Sequence, residues 1–204
     1  MNENLAVEFI SWNTVWKLSK RLAALVREDG FRPHIVAAIA RGGYVPARLV
    51  CDCLDIYDLT SFRIAHYTGG ATMEDTARLS FPLQMDIKGK NVLVVDDVTD
   101  TGDTVALALE HIQGLAPAEC RVGVLHHKRI STVEPDYFAR KVVKWRWLVY
   151  PWAVVEDVTG FIHRLARRPV SVVEASGMLA NELGIEIPEK ILRDVLAIMG
   201  QKNG

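Results

Sequence analysis

A chain of 204 residues, half of them hydrophobic, is long enough for one good core and short for two. Its formal net charge of −1 gives no global electrostatic case for nucleic acid or a membrane surface as partner. No stretch approaches the roughly 20 apolar residues of a spanning helix, and the opening MNENLAVEFISW lacks both the basic start and the apolar run of a signal peptide. The cysteines are Cys51, Cys53 and Cys120, an odd set without a secretory signal, which reads as a protein of a reducing cytoplasm. Cys51-x-Cys53 has the wrong spacing for zinc and reads as small residues on a helix.

Residues 11–29 form an amphipathic pattern. Ser11 or Asn13 suits the cap, Val15, Leu18, Leu22, Leu25 and Val26 share one face, and Gly30 ends the helix. Residues 34–40, HIVAAIA, read as a short buried strand. Arg41-Gly42-Gly43 then leads into a helix from about Val45 to Leu54. By itself this is a strand-to-helix turn whose glycines supply positive φ. Ser61 to Tyr67 reads as the next strand. Residues 68–80, TGGATMEDTARLS, lack periodicity and read as a long loop, a feature that in a compact domain is usually functional. Phe81 to Leu83 return as a short strand before Gly89.

Chemistry concentrates in Asn91–His111, NVLVVDDVTDTGDTVALALEH. Val92-Leu93-Val94-Val95 suits a strand buried on both faces of a parallel sheet. Asp96 and Asp97 stand where that strand ends. Thr99-Asp100-Thr101-Gly102-Asp103-Thr104 makes a polar loop, and Val105, Leu107, Ala108, Leu109 and Ile112 give a helical pattern. Loop N–H groups and a helix N-terminus receive a phosphate. Thr101 and Thr104 add hydroxyl donors, and Gly102 lets the backbone come close. Adjacent carboxylates repel a phosphate and suit ribose hydroxyls or a metal. Asp103 adds a further charge beside the loop; as the first helical residue it suits a cap pointing away.

A strand follows at about 121–127, RVGVLHH, then Lys128. A lysine there is ordinarily a solvated loop residue, and His126 and His127 read as strand residues rather than metal ligands. Residues 145–152 are WRWLVYPW, with Trp145 and Trp147 alternating about Arg146 as on one face of a strand. Glu156, Asp157 and a small basic cluster, Arg164, Arg167 and Arg168, come next; such a run is usually a solvated face. Two helices close the chain, about 171–183 and 188–199. Gly184 ends the first, and Pro188 with Glu189 opens the second.

VLVVDDVTDTGDT resembles the signature with which type I phosphoribosyltransferases bind 5-phosphoribosyl 1-pyrophosphate, PRPP. IARGGYVPARL is similar to the same family's pyrophosphate loop. The resemblance spans roughly residues 34–160. It implies an α/β fold, a mostly parallel sheet flanked by helices with right-handed crossovers. It also implies a small hood; chain length reads as one domain over 1–204, and the C-terminal helical extension at about 170–204 lies beyond the resemblance.

Roles are implied residue by residue. Asp96 and Asp97 take the ribose hydroxyls. Thr99, Asp100, Thr101, Gly102, Asp103 and Thr104 hold the 5′-phosphate, and Arg41, Gly42 and Gly43 face the pyrophosphate across a cis peptide between Ala40 and Arg41. The long loop becomes the lid that closes over PRPP, with Tyr67 at its edge. Lys128 resembles the lysine that donates to O6 of a 6-oxopurine in hypoxanthine-guanine enzymes. Trp147-x-x-x-Pro151-Trp152 resembles the base segment of bacterial xanthine-guanine enzymes, so Trp147 stacks on the purine and the Leu148 backbone meets its 2-position. Asp100-Thr101-Gly102 matches the D-T-G pattern of 6-oxopurine enzymes, and Asp100 is the implied catalytic group at purine N7. Mg²⁺ is the implied cofactor, with Asp96, Asp97 and Asp157 as its candidate ligands. The implied partners are PRPP and a purine base, with no nucleic acid or membrane, and a homo-oligomer, commonly a dimer in the family. The expected activity is purine salvage in the cytoplasm: PRPP plus hypoxanthine, guanine or xanthine gives the nucleoside 5′-monophosphate and pyrophosphate. The alternative is a PRPP-sensing regulator of the same fold, using the arginines at 164–168 and the tail.

Overall fold

The computed structural model describes residues 5–68 and 75–201. In chain order the first elements are β1 (Val7–Phe9), α1 (Trp12–Glu28), β2 (Ile35–Ala40), α2 (Tyr44–Leu54), β3 (Leu59–Thr68) and β4 (Asp75–Phe81). Then come β5 (Asn91–Thr99), α3 (Asp103–Gln113), β6 (Glu119–Lys128), β7 (Tyr137–Val142) and β8 (Trp147–Val149). The chain ends with α4 (Val154–His163), α5 (Val172–Met178), a π turn at Leu179–Leu183, and α6 (Glu189–Gln201). These elements fall into two compact units. One is Asn13–Trp145; the other joins the N-terminal residues through Trp12 to those from Arg146 onward.

The larger unit is built on a six-stranded sheet in the order β4-β3-β2-β5-β6-β7. All pairs are parallel except β3–β4. The centre is occupied by the most apolar strands. Every residue of β2, IVAAIA, is buried, as are Val92 to Val95 of β5, which is what a strand covered on both faces requires. Ile35 lies opposite Val92 and Ala38 opposite Val95. On one face α3 inserts Val105, Ala108 and Ile112 among Ile35, Ala37, Ile39, Phe62, Val94 and Val124. Burial of each such side chain contributes about 1.5–3 kcal/mol. Helix α1 buries Val15, Leu18, Leu22, Ala23 and Val26. A Cβ on Gly123 would lie 3.1 Å from the Leu22 methyl, so the bare backbone of β6 lets α1 come close. The phenol of Tyr137 on β7 donates to Asp29 at 2.6 Å, tying the end of α1 to that strand.

From β2 the chain builds the sheet outward through β3 to β4; from β5 it builds the other way through β6 to β7. The reversal point lies between β2 and β5. At such a switch point the loops leaving the carboxyl ends diverge and open a crevice. Those loops are the ones carrying Arg41-Gly42-Gly43 and residues 100–102.

In the smaller unit β1 pairs in parallel with β8, Val7 opposite Trp147 and Phe9 opposite Val149. Arg146 donates to Glu8 at 3.0 Å on the same pair. Val149, Phe161, Ile162, Leu179, Ile185, Leu192 and Val195 form its core. Ser171 caps α5 by accepting from the Glu174 N–H, and Gly184, at φ 66°, closes the π turn.

The α/β class, the parallel sheet and the terminal helices match expectation. Three features differ. The stretch expected as a loop over 68–80 contains β4, antiparallel to β3, with Ile64 opposite Leu79 and Ala65 opposite Arg78. The alternation Ala77, Leu79, Phe81 carries that strand; Ala77 and Leu79 pack on the core. Residues 69–74 of the expected lid, and the Tyr67 side chain, lie outside the described residues. The return strand expected at Phe81–Leu83 therefore ends at Phe81 instead of beginning there. Strand β7 has no counterpart in the sequence reading. Finally, the expected extension at 170–204 is part of a larger unit that begins at Arg146 and recruits β1.

Candidate active site

The first wall of the crevice is the turn after β2. The expected cis peptide joins Ala40 to Arg41. The Gly43 N–H donates to Ile39 O at 2.9 Å, folding the turn back on its own strand. A Cβ at Gly43 would stand 2.3 Å from the Val95 carbonyl oxygen and 2.7 Å from that of Ile39, so only glycine fits. One residue earlier, a Cβ at Gly42 would stand 2.5 Å from the Asp97 carboxylate. The implied pyrophosphate turn and the implied ribose acids thus meet across the β2–β5 pair. The glycines do not act through positive φ as the sequence reading supposed; they act through lack of a Cβ, because neither is among the positive-φ residues.

Asp96 and Asp97 occupy the end of β5. Asp96 is 7% exposed and accepts the Asp97 N–H at 2.9 Å. Burial first, and then the neighbouring Asp97 charge, hold the Asp96 carboxyl well above the usual carboxylate range. A positive ion or a hydrogen-bond donor would relieve that pair. Among the described residues no group of three or more His, Cys, Asp or Glu is set to hold a metal. That donor set fits Mg²⁺ arriving with substrate oxygens and water, since Mg²⁺ typically takes one or two carboxylates beside phosphates.

The loop expected to take the 5′-phosphate follows. Thr99 is buried, and Gly102, at φ 107°, turns the chain into α3. The N-cap residue Gly102 offers no side chain to α3, and the Asp103 N–H reaches the Thr101 hydroxyl at 3.5 Å. Residues 131–133, which the sequence reading missed, support the loop from behind. The Thr132 N–H and hydroxyl both donate to Thr101 O, at 2.8 and 3.0 Å. A Cβ on Gly102 would be 2.8 Å from Thr132 Oγ1. Asp103 departs from expectation: its carboxylate points toward the loop and accepts the Thr101 hydroxyl at 2.8 Å. The same hydroxyl accepts the Asp103 N–H, so the two residues close a local ring at the start of α3. Thr104 is half-buried at the start of α3.

Lys128 is the last residue of β6, and it is not a solvated lysine: it is 3% exposed. Its ammonium lies 2.5 Å from Asp100 Oδ2 and 4.6 Å from the ring centre of Trp145. The Trp145 indole N–H donates to the other oxygen, Asp100 Oδ1, at 3.3 Å. The two residues implied at O6 and N7 of the base are therefore paired in the unliganded protein. Trp145 was weighed in the sequence only as a strand neighbour of Trp147; it precedes β8 and stands at this pair. His126 and His127 are buried strand residues, as expected. Burial, then Lys141, pushes the His127 imidazole below its ordinary value.

Trp147, Leu148 and Asp157 belong to the smaller unit. Trp147 opens β8, is 37% exposed and meets the Phe161 ring edge-on at 5.8 Å. Leu148 is buried and pairs with Glu8 across β1–β8. Trp152 stacks on Tyr150 at 4.8 Å and contacts Trp12 at 5.9 Å, so it is a packing residue. Asp157 lies in the first turn of α4.

Residues 10–157 match the phosphoribosyl transferase domain model. The chain is 31% identical over 153 residues to the xanthine-guanine phosphoribosyltransferase of Ruegeria sp. (strain TM1040), covering 70% of this chain and 83% of that protein. It is 26% identical over 195 residues to the hypoxanthine-guanine phosphoribosyltransferase of Saccharomyces cerevisiae, covering 74% of this chain and 87% of that one. The solved purine phosphoribosyltransferase of Pyrococcus horikoshii superposes with a TM-score of 0.63 at 30% identity, over 72% of this chain and 94% of that chain.

Proposed function

The chain belongs to the phosphoribosyl transferase domain family, and from that premise we infer that it is a purine-salvage phosphoribosyltransferase moving the 5-phosphoribosyl group of PRPP to a 6-oxopurine. The products are the nucleoside 5′-monophosphate and pyrophosphate. The single observation that carries the base class is the buried Lys128 ammonium paired with Asp100 at the carboxyl end of the sheet. A 6-oxopurine offers an acceptor at O6 to an ammonium and a nitrogen at N7 to a carboxylic group. Adenine presents an amino group at the 6-position, and a buried charged donor facing it without an acceptor costs upward of about 1–3 kcal/mol.

Each residue then has a definite task. Gly42 and Gly43, with Arg41, admit the pyrophosphate close to the β2 turn. Asp96 and Asp97 hold the ribose 2′- and 3′-hydroxyls as the C1′–O bond breaks and positive charge develops on the sugar. Thr99 to Thr104 anchor the 5′-phosphate through loop N–H groups, the Thr101 and Thr104 hydroxyls and the start of α3. Asp100 handles the proton at N7. Asp96 and Asp97 would hold Mg²⁺, which would supply charge neutralisation for the leaving pyrophosphate. Asp157, Trp147, Leu148 and Tyr67 enter on the family pattern alone. A dimer and a cytoplasmic setting are part of the same proposal. Catalysis of this kind is mostly positioning and charge placement.

The regulatory alternative loses its main motive. Arg167 pairs with Glu174, and Arg168 donates to Met199 O at 3.5 Å, so two of the three arginines engage their own unit. The decisive assay is initial rates with PRPP and each of hypoxanthine, guanine, xanthine and adenine. We expect at least one 6-oxopurine to exceed adenine by more than tenfold, the scale set by an unpaired charged donor. Adenine used as fast as the best 6-oxopurine would overturn the base assignment. No turnover of any purine would overturn the enzyme reading.

A further inference from the structure

We propose that Trp145 is a positioning residue for the purine base, acting through both members of the Asp100–Lys128 pair. This rests on the reading of those two residues as the base-recognising groups. The indole engages both: its N–H donates to Asp100 Oδ1 at 3.3 Å, and its π face lies 4.6 Å from the Lys128 ammonium. Edge and face of one rigid ring therefore set the carboxylate and the cation relative to each other.

The chemistry explains why such a residue is useful. Asp100 is partly open, its side chain 43% exposed, whereas that of Lys128 is 4% exposed. An exposed carboxylate beside a buried ammonium has freedom to turn, and every rotation away leaves the cation without its counter-charge. The indole N–H pins Oδ1, which leaves Oδ2 on the ammonium side. The ring face also supplies an attraction that persists when base binding draws the ammonium partly away from Asp100. Cation–π attraction is strongest for tryptophan and for a desolvated cation. An ammonium has three donors; one goes to Asp100 and one lies against the ring, leaving a third for O6. A tryptophan is thus better suited here than phenylalanine, which lacks the N–H, or leucine, which lacks both.

The test uses the full chain. In Trp145→Leu, kcat/KM for the preferred 6-oxopurine should fall about 30-fold or more, through a raised KM for the base, with KM for PRPP changed less than about twofold. The size combines one charged hydrogen bond and one cation–π contact. Trp145→Phe retains the ring face and should recover part of the loss. Independently of turnover, a heteronuclear NMR spectrum should resolve the indole N–H groups of the five tryptophans. The resonance lost in Trp145→Phe should shift in Asp100→Ala while the other indoles stay in place. Kinetics of Trp145→Leu equal to wild type, or a parallel loss for base and PRPP, would overturn the proposal. So would an unmoved Trp145 resonance in Asp100→Ala. If the wild type turns over no purine, the enzymatic reading fails and the role in base positioning falls with it; a responsive resonance would then establish the contact alone.

Discussion

Adjacent glycines in the turn after β2 offer a way to separate the fold from the site. Alanine at 43 would place a methyl 2.3 Å from Val95 O and 2.7 Å from Ile39 O. Both are backbone atoms of the central strands, so relief requires prying β2 from β5. Overpacking of this kind costs about 1–3 kcal/mol and sometimes more. With two backbone clashes we expect about 3 kcal/mol, or roughly 6–12 °C of melting temperature for a chain of this size. Alanine at 42 meets first the end of the Asp97 side chain, at 2.5–2.7 Å, where a side-chain rotation rather than a strand movement gives relief. Its stability cost should stay below about 1 kcal/mol, a surface-like value. The displaced carboxylate, however, is one proposed to hold the ribose, and a misplacement near 1 Å can lower turnover on the order of 100-fold. Thermal melts should therefore rank Gly43→Ala as the less stable variant, and kcat/KM for PRPP should fall in Gly42→Ala despite its near-native melt. Full activity in Gly42→Ala would refute the role given to Asp97. Equal melting losses in the two variants would refute the distinction between backbone and side-chain clash.

Other outcomes follow from the same geometry. PRPP with Mg²⁺ at 100-fold above its dissociation constant should stabilise the wild type by about 2.7 kcal/mol, and Asp96→Asn with Asp97→Asn should remove most of that shift in a melting assay. Asp103→Asn should tighten PRPP binding about two- to fivefold by calorimetry, because it removes a charge, worth about 0.3–1 kcal/mol, from the end of α3 that is to receive a phosphate. His111 Nε2 accepts the Leu83 N–H at 3.0 Å, and burial lowers its imidazole below the ordinary 6.5. The unfolded chain therefore takes up that proton first, so this contribution is full above about pH 6.5 and is lost as pH falls below it. Asp96 works in the opposite sense: its raised carboxyl favours the fold at low pH and loses that contribution as pH rises. Comparing urea midpoints of wild type and His111→Gln between pH 7.5 and 5 cancels the Asp96 effect, and the wild type should show the steeper acid loss. Parallel midpoints would refute the His111 assignment. Gly160→Ala, in a helix position with nothing within 4 Å of the added methyl, should raise stability by about 0.5–1 kcal/mol in the same melts.

By itself the sequence determined what is local. A run such as Val92–Val95 specifies a buried strand, and Thr99 to Thr104 specifies the turn into α3, because apolar period and turn chemistry act over a few residues. The polar loop at 99–104, the paired acids and the glycine turn are each a contiguous run, and their positions at the ends of β2 and β5 were legible for that reason. Strand β4 was legible in principle from the Ala77, Leu79, Phe81 alternation; the surrounding glycines and polar residues masked it. What only the tertiary structure decided is which distant residues meet. Asp100 reaches Lys128, 28 positions away, through the parallel register of β5 on β6, and Trp145, 45 positions away, from the segment after β7. β1 pairs with β8 although residues Asn13–Trp145 separate them in sequence. Thr132 supports Thr101 from a segment with no pattern of its own. Such meetings depend on strand pairing and packing summed over the chain, and no local residue pattern encodes a partner at that separation.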